Sequence, residues 1–464
     1  MISIRFVKSF KIKRKITAWI GGLVVVGGLI LSLNLIRQVT HVSPHASEQP
    51  ANIIVQADKN LGALPRPWTN LAQGGEEAGG MLGQTVAKIK PLKPGYIRID
   101  HLYDFYDTVK KENGQLKFNW TKLDKEIEAI LQTGAKPFLA LSYLPEGWSL
   151  NDWQEMVKMT INHYSGKNEK NISDVYYEVW NEPDLFGDWR ISGEKNYLDL
   201  YRAAANGASQ ATNTNPFKLG GPATTGMYRN WMEALFNLID KENLRMDFIS
   251  WHRYSLNPDD FTADVEEISK LIGQYPKLIK AERIVSEWGF DPKNNPGYDN
   301  EFGASHLLAS TFEMFNQIQK AFLFEIKDGK DPKGQPFWGR WGLLTHESSG
   351  MQIKPRYKML LWLNDLGTNR LLLAGGNKFI RGVAAKKNND IQIYLVNYDP
   401  AGQHQETVPI IVKNLAPGQY QVTTEKFQQP PQVKPITITS GTYVDSVNLK
   451  PNQSIRIILS PNNR

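Results

Sequence analysis

Two glutamates at the ends of predicted strands are the residues best suited to chemistry. Glu182 directly follows the run at residues 175–181, and Glu287 lies near the end of the run at residues 284–288. Two carboxyl groups about 5 Å apart can cleave a glycosidic bond with retention, one as nucleophile and the other as acid/base. We expect mutual repulsion to keep one of them protonated, while Arg98 beside the other keeps that one ionised.

These glutamates need a scaffold that brings strand ends together, and the chain has the pattern of one. Short apolar runs alternate with helix-like stretches from residue 51 onward, as in repeated βα units. The pattern predicts an α/β fold with a (β/α)8 barrel over residues 51–366. A doubly wound sheet is the structural alternative, but the chain has neither GxGxxG nor GxxxxGK[ST]. The eight predicted strands are Ile53–Ala57, Tyr96–Asp100, Pro137–Ser142, Val175–Asn181, Leu219–Ala223, Phe248–Tyr254, Ile284–Trp288 and Ala321–Ile326.

The pattern of apolar and polar residues changes after about Gly367. Segments such as IQIYLVNYDPAG, TVPIIVKN and SIRIILSP alternate apolar and polar residues between turn residues, with no helix-length pattern among them. This predicts a β-sandwich over residues 367–464.

Working residues in a barrel of this kind lie at the carboxyl ends of the strands. Alternation along a strand places Arg98 with Asp100 on one face, and His252 with Tyr254 on one face. It also places Glu178, Trp180 and Glu182 on one face, with Glu178 expected to be a buried structural carboxylate below the site. We therefore predict a cleft around the catalytic residues Glu182 and Glu287, with Arg98, Asp100, Trp288 and Trp338 among its substrate-binding residues.

Aromatic and glycine residues near the strand ends complete the predicted cleft. Trp288, Trp189 and Trp338 are expected to line it, because aromatic rings suit the C–H faces of sugars. The glycine-rich segment at residues 74–80 follows the first predicted strand. It is either a mobile rim that contacts substrate or an ordinary flexible loop.

The segment VYYEVWNEPDL, residues 175–185, resembles the acid/base motif of glycoside hydrolase family 39, which includes β-xylosidases, α-L-iduronidases and exopolysaccharide glycosidases. The order of three further segments also matches the family, namely YIRID, MDFISWHRYS and IVSEWGF. They are followed by a closing segment, GLLTHESSGMQIKPRYKMLLWLNDLG, that also matches. The resemblance implies that Glu182 is the acid/base, that Glu287 is the nucleophile and that Asn181 binds the sugar 2-hydroxyl. His252 and Tyr254 resemble the pair that orients the nucleophile or touches substrate.

The chain departs from the family pattern at two strands. Arg98-Ile99-Asp100 stands where such enzymes often have Arg-Phe-His, with a histidine only at position 101. The eighth predicted strand, in AFLFEIKDG, lacks the expected tryptophan, and its Glu325 and Asp328 receive no role. These departures concern which sugar the cleft accepts.

The net charge of +7 is confined to the start of the chain. Seven of the 54 basic residues and no acidic residue lie within residues 1–40, so the remaining 47 basic residues match the 47 acidic ones. A neutral body argues against nucleic-acid binding. We predict a basic cytoplasmic segment at 1–15, a transmembrane signal anchor at 16–36 and a polar tether at 37–50.

This arrangement predicts a single-pass cell-membrane protein whose body lies outside the cytoplasm, in the periplasm or at the cell surface. A cleaved signal peptide is the alternative, and it would also export the body. The chain has no cysteine, no HExxH and no GxSxG. We therefore expect no metal and no cofactor, and we do not expect a serine or cysteine nucleophile.

The function predicted from these observations is a retaining glycoside hydrolase. It would cleave O-glycosidic bonds of a cell-envelope or extracellular polysaccharide or oligosaccharide by double displacement. Two alternatives stay open: an exo-acting, β-xylosidase-like enzyme on short oligosaccharides, and a non-catalytic carbohydrate-binding component of polysaccharide synthesis or export machinery.

Overall fold

The computed structural model describes residues 50–315, 317–331 and 333–462. The predictions made for residues 1–49 lie outside this range. Within it, no helix combines the length and the apolar character needed to cross a membrane.

The strands of the described residues, in chain order, are β1 Ile53–Ala63, β2 Asn70–Gln73, β3 Tyr96–Ile99, β4 Val109–Glu112, β5 Gln115–Phe118, β6 Lys136–Leu141, β7 Val175–Val179, β8 Phe217–Thr224, β9 Phe248–Tyr254, β10 Glu282–Gly289, β11 Lys320–Phe324, β12 Gly329–Lys330, β13 Pro336–Trp338, β14 Asn369–Ala374, β15 Ile380–Lys387, β16 Asp390–Asn397, β17 Glu406–Lys413, β18 Gly418–Lys426, β19 Gln432–Ile438, β20 Thr442–Leu449 and β21 Gln453–Pro461.

The α-helices are α1 Val86–Ile89, α2 Thr121–Thr133, α3 Leu150–Ser165, α4 Tyr197–Gln210, α5 Arg229–Glu242, α6 Asp259–Ile272, α7 Glu301–Glu313 and α8 Pro355–Asp365. Short 3-10 turns occupy Pro67–Thr69, Gly83–Thr85, Lys90–Leu92, Pro276–Leu278, Pro296–Asp299 and Glu347–Ser349.

Eight parallel strands close into a barrel, which confirms the predicted α/β architecture. Their order around the ring is β2, β3, β6, β7, β8, β9, β10 and β11, with β11 pairing back to β2. Aromatic side chains fill the lower interior, where Phe138, Tyr176, Phe248 and Phe322 pack on one another. Glu182 follows β7 and Glu287 lies on β10, three strands further around the ring. The two strands are therefore not diametrically opposite each other.

The crossover helices between barrel strands are amphipathic, and their capping fixes the loops that border the site. Helix α3 begins with a capping box, in which the Ser149 side chain accepts from the Asp152 amide and the Asp152 side chain accepts from the Ser149 amide. Helix α4 is capped at its N-terminus by Asn196, whose side chain accepts from the Leu198 amide. Both helices therefore start at defined residues directly after the loops that leave β6 and β7.

The assignment of Ile53–Ala57 as the first barrel strand is wrong. These residues belong to β1, which pairs with β14 and β17 in the other sheet, and the barrel's first strand is β2. Residues 53–57 have the apolar alternation that a half-buried strand requires, and nothing in that pattern says which sheet receives it. The four residues of β2, Asn70–Gln73, carry a polar residue at each end although all four are buried.

The C-terminal part is β-rich, and β1 joins it. Its strands form one hydrogen-bonded sheet in the order β19-β18-β21-β16-β15-β14-β1-β17-β20. Residues of the two edge strands, such as Ile438 and Tyr443, share a single apolar cluster with the central strands. The sheet therefore folds back on itself around one core, separate from the core of the barrel.

Candidate active site

The carboxyl ends of the barrel strands surround a cleft of about 710 Å³. Glu182 and Glu287 both line it, as the strand-end positions predict. The side chains of the two glutamates are only 13% and 11% exposed. A carboxylate oxygen of Glu182 and one of Glu287 lie within 4.8 Å of each other, the spacing of paired carboxyls in retaining glycosidases, roughly 5 Å.

Arg98 organises the floor of the cleft. It projects from β3 and is fully buried, and its guanidinium donates from Nε to Glu178 (2.8 Å) and from Nη2 to Asn181 Oδ1 (2.7 Å). A longer contact of 3.4 Å runs from Nη1 to Oε2 of Glu287. The predicted placing of Glu178 as a buried carboxylate beneath the site agrees with these contacts. Glu178 balances a buried cation that would otherwise cost several kcal/mol to desolvate.

His252 and Tyr254 of β9 face the two carboxylates from the same side. The Tyr254 hydroxyl donates to Oε1 of Glu287 at 2.6 Å, and His252 Nδ1 lies 2.9 Å from Oε1 of Glu182. Glu287 thus accepts hydrogen bonds from a phenol and a guanidinium, whereas within residues 50–315, 317–331 and 333–462 the carboxylate of Glu182 has the imidazole of His252 as its hydrogen-bond partner. Donors that favour the ionised form concentrate on Glu287.

The protonation of Glu287 reflects opposing influences. Burial raises the pKa of the Glu287 carboxyl, and the neighbouring Glu182 adds to this increase. His252, Arg98 and the Tyr254 hydroxyl act in the opposite direction and lower the same pKa. Removal of any of these three partners would therefore raise the pKa of Glu287 further.

His252 bridges the two carboxylates. Burial disfavours the charged ring, but the charges of Glu287 and Glu182 outweigh it, so the pKa of His252 is raised. Arg98 Nη2 lies 3.4 Å from His252 Nε2 and can only donate. We infer that in the neutral ring the proton is on Nδ1 and is donated to Oε1 of Glu182.

The chain turns sharply where it leaves β7. Trp180 and Glu182 both have positive φ, 76° and 48°, which is uncommon for residues other than glycine. The prediction that Trp180 shares the face of Glu178 is wrong, because the strand ends at Val179 and the left-handed Trp180 breaks the alternation. Trp180 packs instead against Trp153 of α3, outside the barrel. The turn lets the adjacent Asn181 point inward to Arg98, and non-glycine residues in such conformations cluster at functional sites.

The three predicted cleft tryptophans have different positions. Trp338 on β13 is 41% exposed and lines the cleft, as expected. Trp288 does not line it: the side chain is fully buried and packs edge-on against Phe261 of α6. Since Glu287 points inward, its neighbour on the strand must point outward. Trp189 lies instead in an adjoining groove lined by the loops after β6 and β7.

Asp100 and Asn181 occupy the positions predicted for them, and Tyr143 is a further cleft residue that was not predicted from the sequence. Asp100 lines the cleft, and burial raises the pKa of its carboxyl. Tyr143 also lines it, and its hydroxyl accepts from the Asn181 amide at 2.9 Å. The available signal was its place directly after the predicted strand at residues 137–142, where a barrel presents working residues.

The glycine-rich segment after β2 contributes to the cleft through Gly74, Gly75 and Glu76. Glu76 belongs to a cluster in which Gln73 Nε2 donates to Glu325 at 2.7 Å and contacts Glu76 at 3.4 Å. Burial and Glu325 act in opposite directions on Glu76, and the net effect raises its pKa to about 7. Burial and the charge of Glu76 also raise the pKa of Glu325. Each of these two carboxyl groups therefore disfavours the ionised form of the other.

Two groups of side chains in the described residues bring three possible metal ligands together, namely Glu182 with His252 and Glu287, and Glu77 with His346 and Glu347. A positively charged side chain already forms an ion pair with each of these two groups. Arg98 contacts Glu287, and Lys327 Nζ contacts Glu347. These fixed positive charges compete with a bound metal ion, so both groups are better described as ion-pair networks.

Several known proteins of one family are similar to this chain. The family model "Glycosyl hydrolases family 39" matches residues 52–413. A β-xylosidase of Caldicellulosiruptor saccharolyticus is 23% identical over 66% of this chain and 69% of its own length. A β-xylosidase of Geobacillus stearothermophilus is 21% identical over 61% of this chain, which spans 63% of that relative. The solved structure of a monomeric β-xylosidase from Caulobacter crescentus CB15 superposes with a TM-score of 0.71 at 20% identity, over 89% of this chain and 99% of its own.

The family match covers most of the chain and includes both strand-end glutamates. The similar solved structure supports the fold, a barrel followed by a β-rich part. The resemblance inferred from the sequence motifs is therefore confirmed, and the chain belongs to glycosyl hydrolases family 39.

Proposed function

We propose that the protein is a retaining glycoside hydrolase in which Glu287 is the nucleophile and Glu182 the acid/base. The observation that carries the proposal is the approach of the two carboxylates to within 4.8 Å at the end of the barrel. Inverting enzymes need a wider gap, roughly 6.5 to 9.5 Å, to admit a water molecule. The unequal hydrogen bonding supports the division of roles, because Tyr254 and Arg98 both donate to Glu287.

The reaction would proceed in two displacements. A carboxylate oxygen of Glu287 attacks the anomeric carbon and forms the glycosyl-enzyme bond, while Glu182 transfers its proton to the departing glycosidic oxygen. Glu182, now ionised, takes a proton from water, whose oxygen attacks the anomeric carbon and releases Glu287. Asn181, held by Arg98 and Tyr143, is positioned to hydrogen-bond a sugar hydroxyl beside the reacting carbon.

Covalent trapping tests the assignment. A 2-deoxy-2-fluoro glycoside with a good leaving group should label Glu287, located by mass spectrometry of the digested protein. Glu287→Gln should take no label, and Glu182→Gln should still react with an activated aryl glycoside because its leaving group needs no proton. A label on any other residue, or none in a protein that turns the glycoside over, would contradict the assigned nucleophile.

The substrate class proposed is an extracytoplasmic polysaccharide or oligosaccharide. The apolar segment at residues 16–36, with six basic residues before it and one after, supports a membrane anchor that holds the body outside the cytoplasm. Membrane fractionation of the full chain, compared with a variant that begins at residue 41, tests the anchor. Recovery of the full chain in the soluble fraction only would contradict it.

The cleft itself favours sugars without a carboxylate. It is lined by Glu76, Asp100, Glu182, Asp184 and Glu287, whereas Arg98 beneath them is fully buried and already paired with Glu178 and Glu287. Such a concentration of acidic groups repels uronic acids and sulfated sugars. The exo-acting alternative would release single sugars only, and a non-catalytic component of export machinery would bind glycans without turning them over.

A further inference from the structure

A second groove, of about 580 Å³, adjoins the catalytic cleft. Its walls are the loop between β6 and α3, residues 142–149, and the loop between β7 and α4, residues 180–196. Tyr143 and Phe186 line both the groove and the cleft, and Phe186 is 44% exposed at the ridge between them. The groove is therefore continuous with the cleft across these two aromatic rings.

The groove lies on the side from which the leaving group departs. In the proposed mechanism Glu182 protonates the glycosidic oxygen, so the leaving sugar lies on the Glu182 side of the broken bond. Glu182 opens the loop that continues through Leu185 and Phe186 into the wall of the groove. A chain that extends from the leaving sugar along this loop passes over Phe186 and enters the groove.

The lining of the groove has the chemistry of a sugar-binding surface. Trp148 is partly exposed, and its ring offers an apolar face of the kind on which the C–H groups of a sugar stack. Trp189 is 6% exposed, and its indole N–H is buried with no hydrogen-bond partner among the described residues. A buried donor without a partner costs roughly 1 to 3 kcal/mol, which a bound hydroxyl would recover.

Polar side chains surround these rings. Glu146, Asp188 and Glu194 are exposed along the groove, and Lys195 Nζ lies 5.5 Å from the Trp189 ring. Carboxylates that accept from hydroxyls suit a neutral glycan, and they oppose an acidic one as the cleft does.

We propose that this groove, which nothing in the catalytic mechanism requires, binds further sugars on the leaving-group side of a neutral polysaccharide, so that the enzyme prefers long chains to short ones. This inference rests on the proposed function, since a chain that is not cleaved has no leaving-group side. The proposed binding site is formed by Trp148, Trp189, Glu146 and Glu194. None of these residues is among those that touch the reacting bond.

The test compares long and short substrates. Trp148→Ala should lower kcat/KM at least tenfold on the best substrate of a panel of neutral polysaccharides, and leave hydrolysis of p-nitrophenyl glycosides within twofold of wild type. Trp189→Phe, which keeps the packing and removes the N–H, should show the same selective loss in smaller degree. The kcat/KM of the wild type should rise with the number of sugars on the leaving-group side of the cleaved bond.

Matched controls separate the possible outcomes. Ile279→Ala removes an apolar side chain that is 60% exposed next to the start of β10, at the opposite end of the barrel, and should change neither activity. Equal losses on long and short substrates, or a wild-type kcat/KM that does not rise with chain length, would contradict sugar binding in the groove while leaving the proposed function intact. A wild type that hydrolyses neither the aryl glycosides nor the polysaccharides would overturn both proposals.

Discussion

At the scale of single residues, the site differentiates two chemically identical carboxyl groups by the partners around them. Glu287 lies among three groups that favour its ionised form, namely Arg98, His252 and Tyr254. Burial and Glu182 favour its protonated form. Because these influences oppose one another, a small change in the hydrogen bonds of Glu287 moves the pH range in which it can act as a nucleophile.

Tyr254→Phe tests this balance with the loss of one hydroxyl group. The hydrogen bond of 2.6 Å to Glu287 favours the carboxylate, so its removal should raise the pKa of Glu287. The acidic limb of the kcat/KM profile should then move to higher pH, by about one unit if the bond contributes about 1.5 kcal/mol. We expect kcat at neutral pH to fall about tenfold as the nucleophile loses its orientation.

Tyr420→Phe provides the matched control in the C-terminal sheet, where the hydroxyl donates to the Ala416 carbonyl. It should leave the pH profile unchanged. An acidic limb in Tyr254→Phe that stays in place or moves to lower pH would show that Glu287 does not set that limb.

At the scale of elements, the periodicity of the chain predicted seven of the eight barrel strands. It could not find β2, because a four-residue strand with polar Asn70 and Gln73 at its ends has no apolar alternation. The Asn70 amide donates to the nearby Pro67 carbonyl, but the Gln73 side chain is satisfied by distant parts of the chain, by Glu325 and by the backbone of Lys327. Such contacts depend on closure of the barrel, which local sequence does not encode.

The same limit applies to side-chain direction at the strand ends. Strict alternation correctly placed His252 and Tyr254 together, because β9 remains a strand through residue 254. It failed at Trp180, where β7 has already ended and φ is positive. At Trp288, alternation predicts a side chain that points out of the barrel, as the structure shows. The prediction that Trp288 lines the cleft was wrong because it followed the affinity of aromatic rings for sugars instead of the alternation.

Trp338 and Trp288 therefore have separable effects. Trp338→Ala should raise KM several-fold, because loss of a stacking surface costs about 0.5 to 1.5 kcal/mol, and should leave the melting temperature unchanged. Trp288→Ala should lower the free energy of unfolding by about 3 to 5 kcal/mol through the cavity it leaves between β10 and α6. Kinetics and thermal unfolding of the two purified variants measure this contrast. A destabilised Trp338→Ala with unchanged KM would assign that residue to packing.

At the scale of the whole molecule, the barrel and the C-terminal sheet are joined by more than a single connection. The chain begins its described part in the sheet with β1, builds the barrel, and then returns to flank β1 with β14 and β17. Arg381 of β15 is buried and reaches Glu313 of α7 (3.1 Å) and Asp259 of α6 (2.7 Å). The alternating pattern after residue 367 predicted a β-rich part, but not that an N-terminal strand completes it, since that pairing joins residues more than 300 positions apart.

Arg381→Met should destabilise the protein in a pH-dependent way. Burial already raises the pKa of Glu313, and Arg381 limits that increase. Without the guanidinium, the folded-state pKa of Glu313 rises further above its unfolded value. Because the folded state then binds a proton that the unfolded state releases, stability must fall as the pH rises through this interval. We expect a loss of about 3 kcal/mol at pH 8, as for other buried charges that lose a partner, and a smaller loss near pH 5.

Urea unfolding at the two pH values measures this difference, with Arg381→Met/Glu313→Gln as its control. The double variant removes both members of the pair, so no buried carboxylate remains to be protonated. Its stability relative to wild type should depend much less on pH than that of the single variant. A larger loss of stability for Arg381→Met at pH 5 than at pH 8 would contradict this prediction. It would show that the interface does not depend on the charge of Glu313. Packing of the long Arg381 side chain between α7 and β15 would then be what holds the barrel and the C-terminal sheet together.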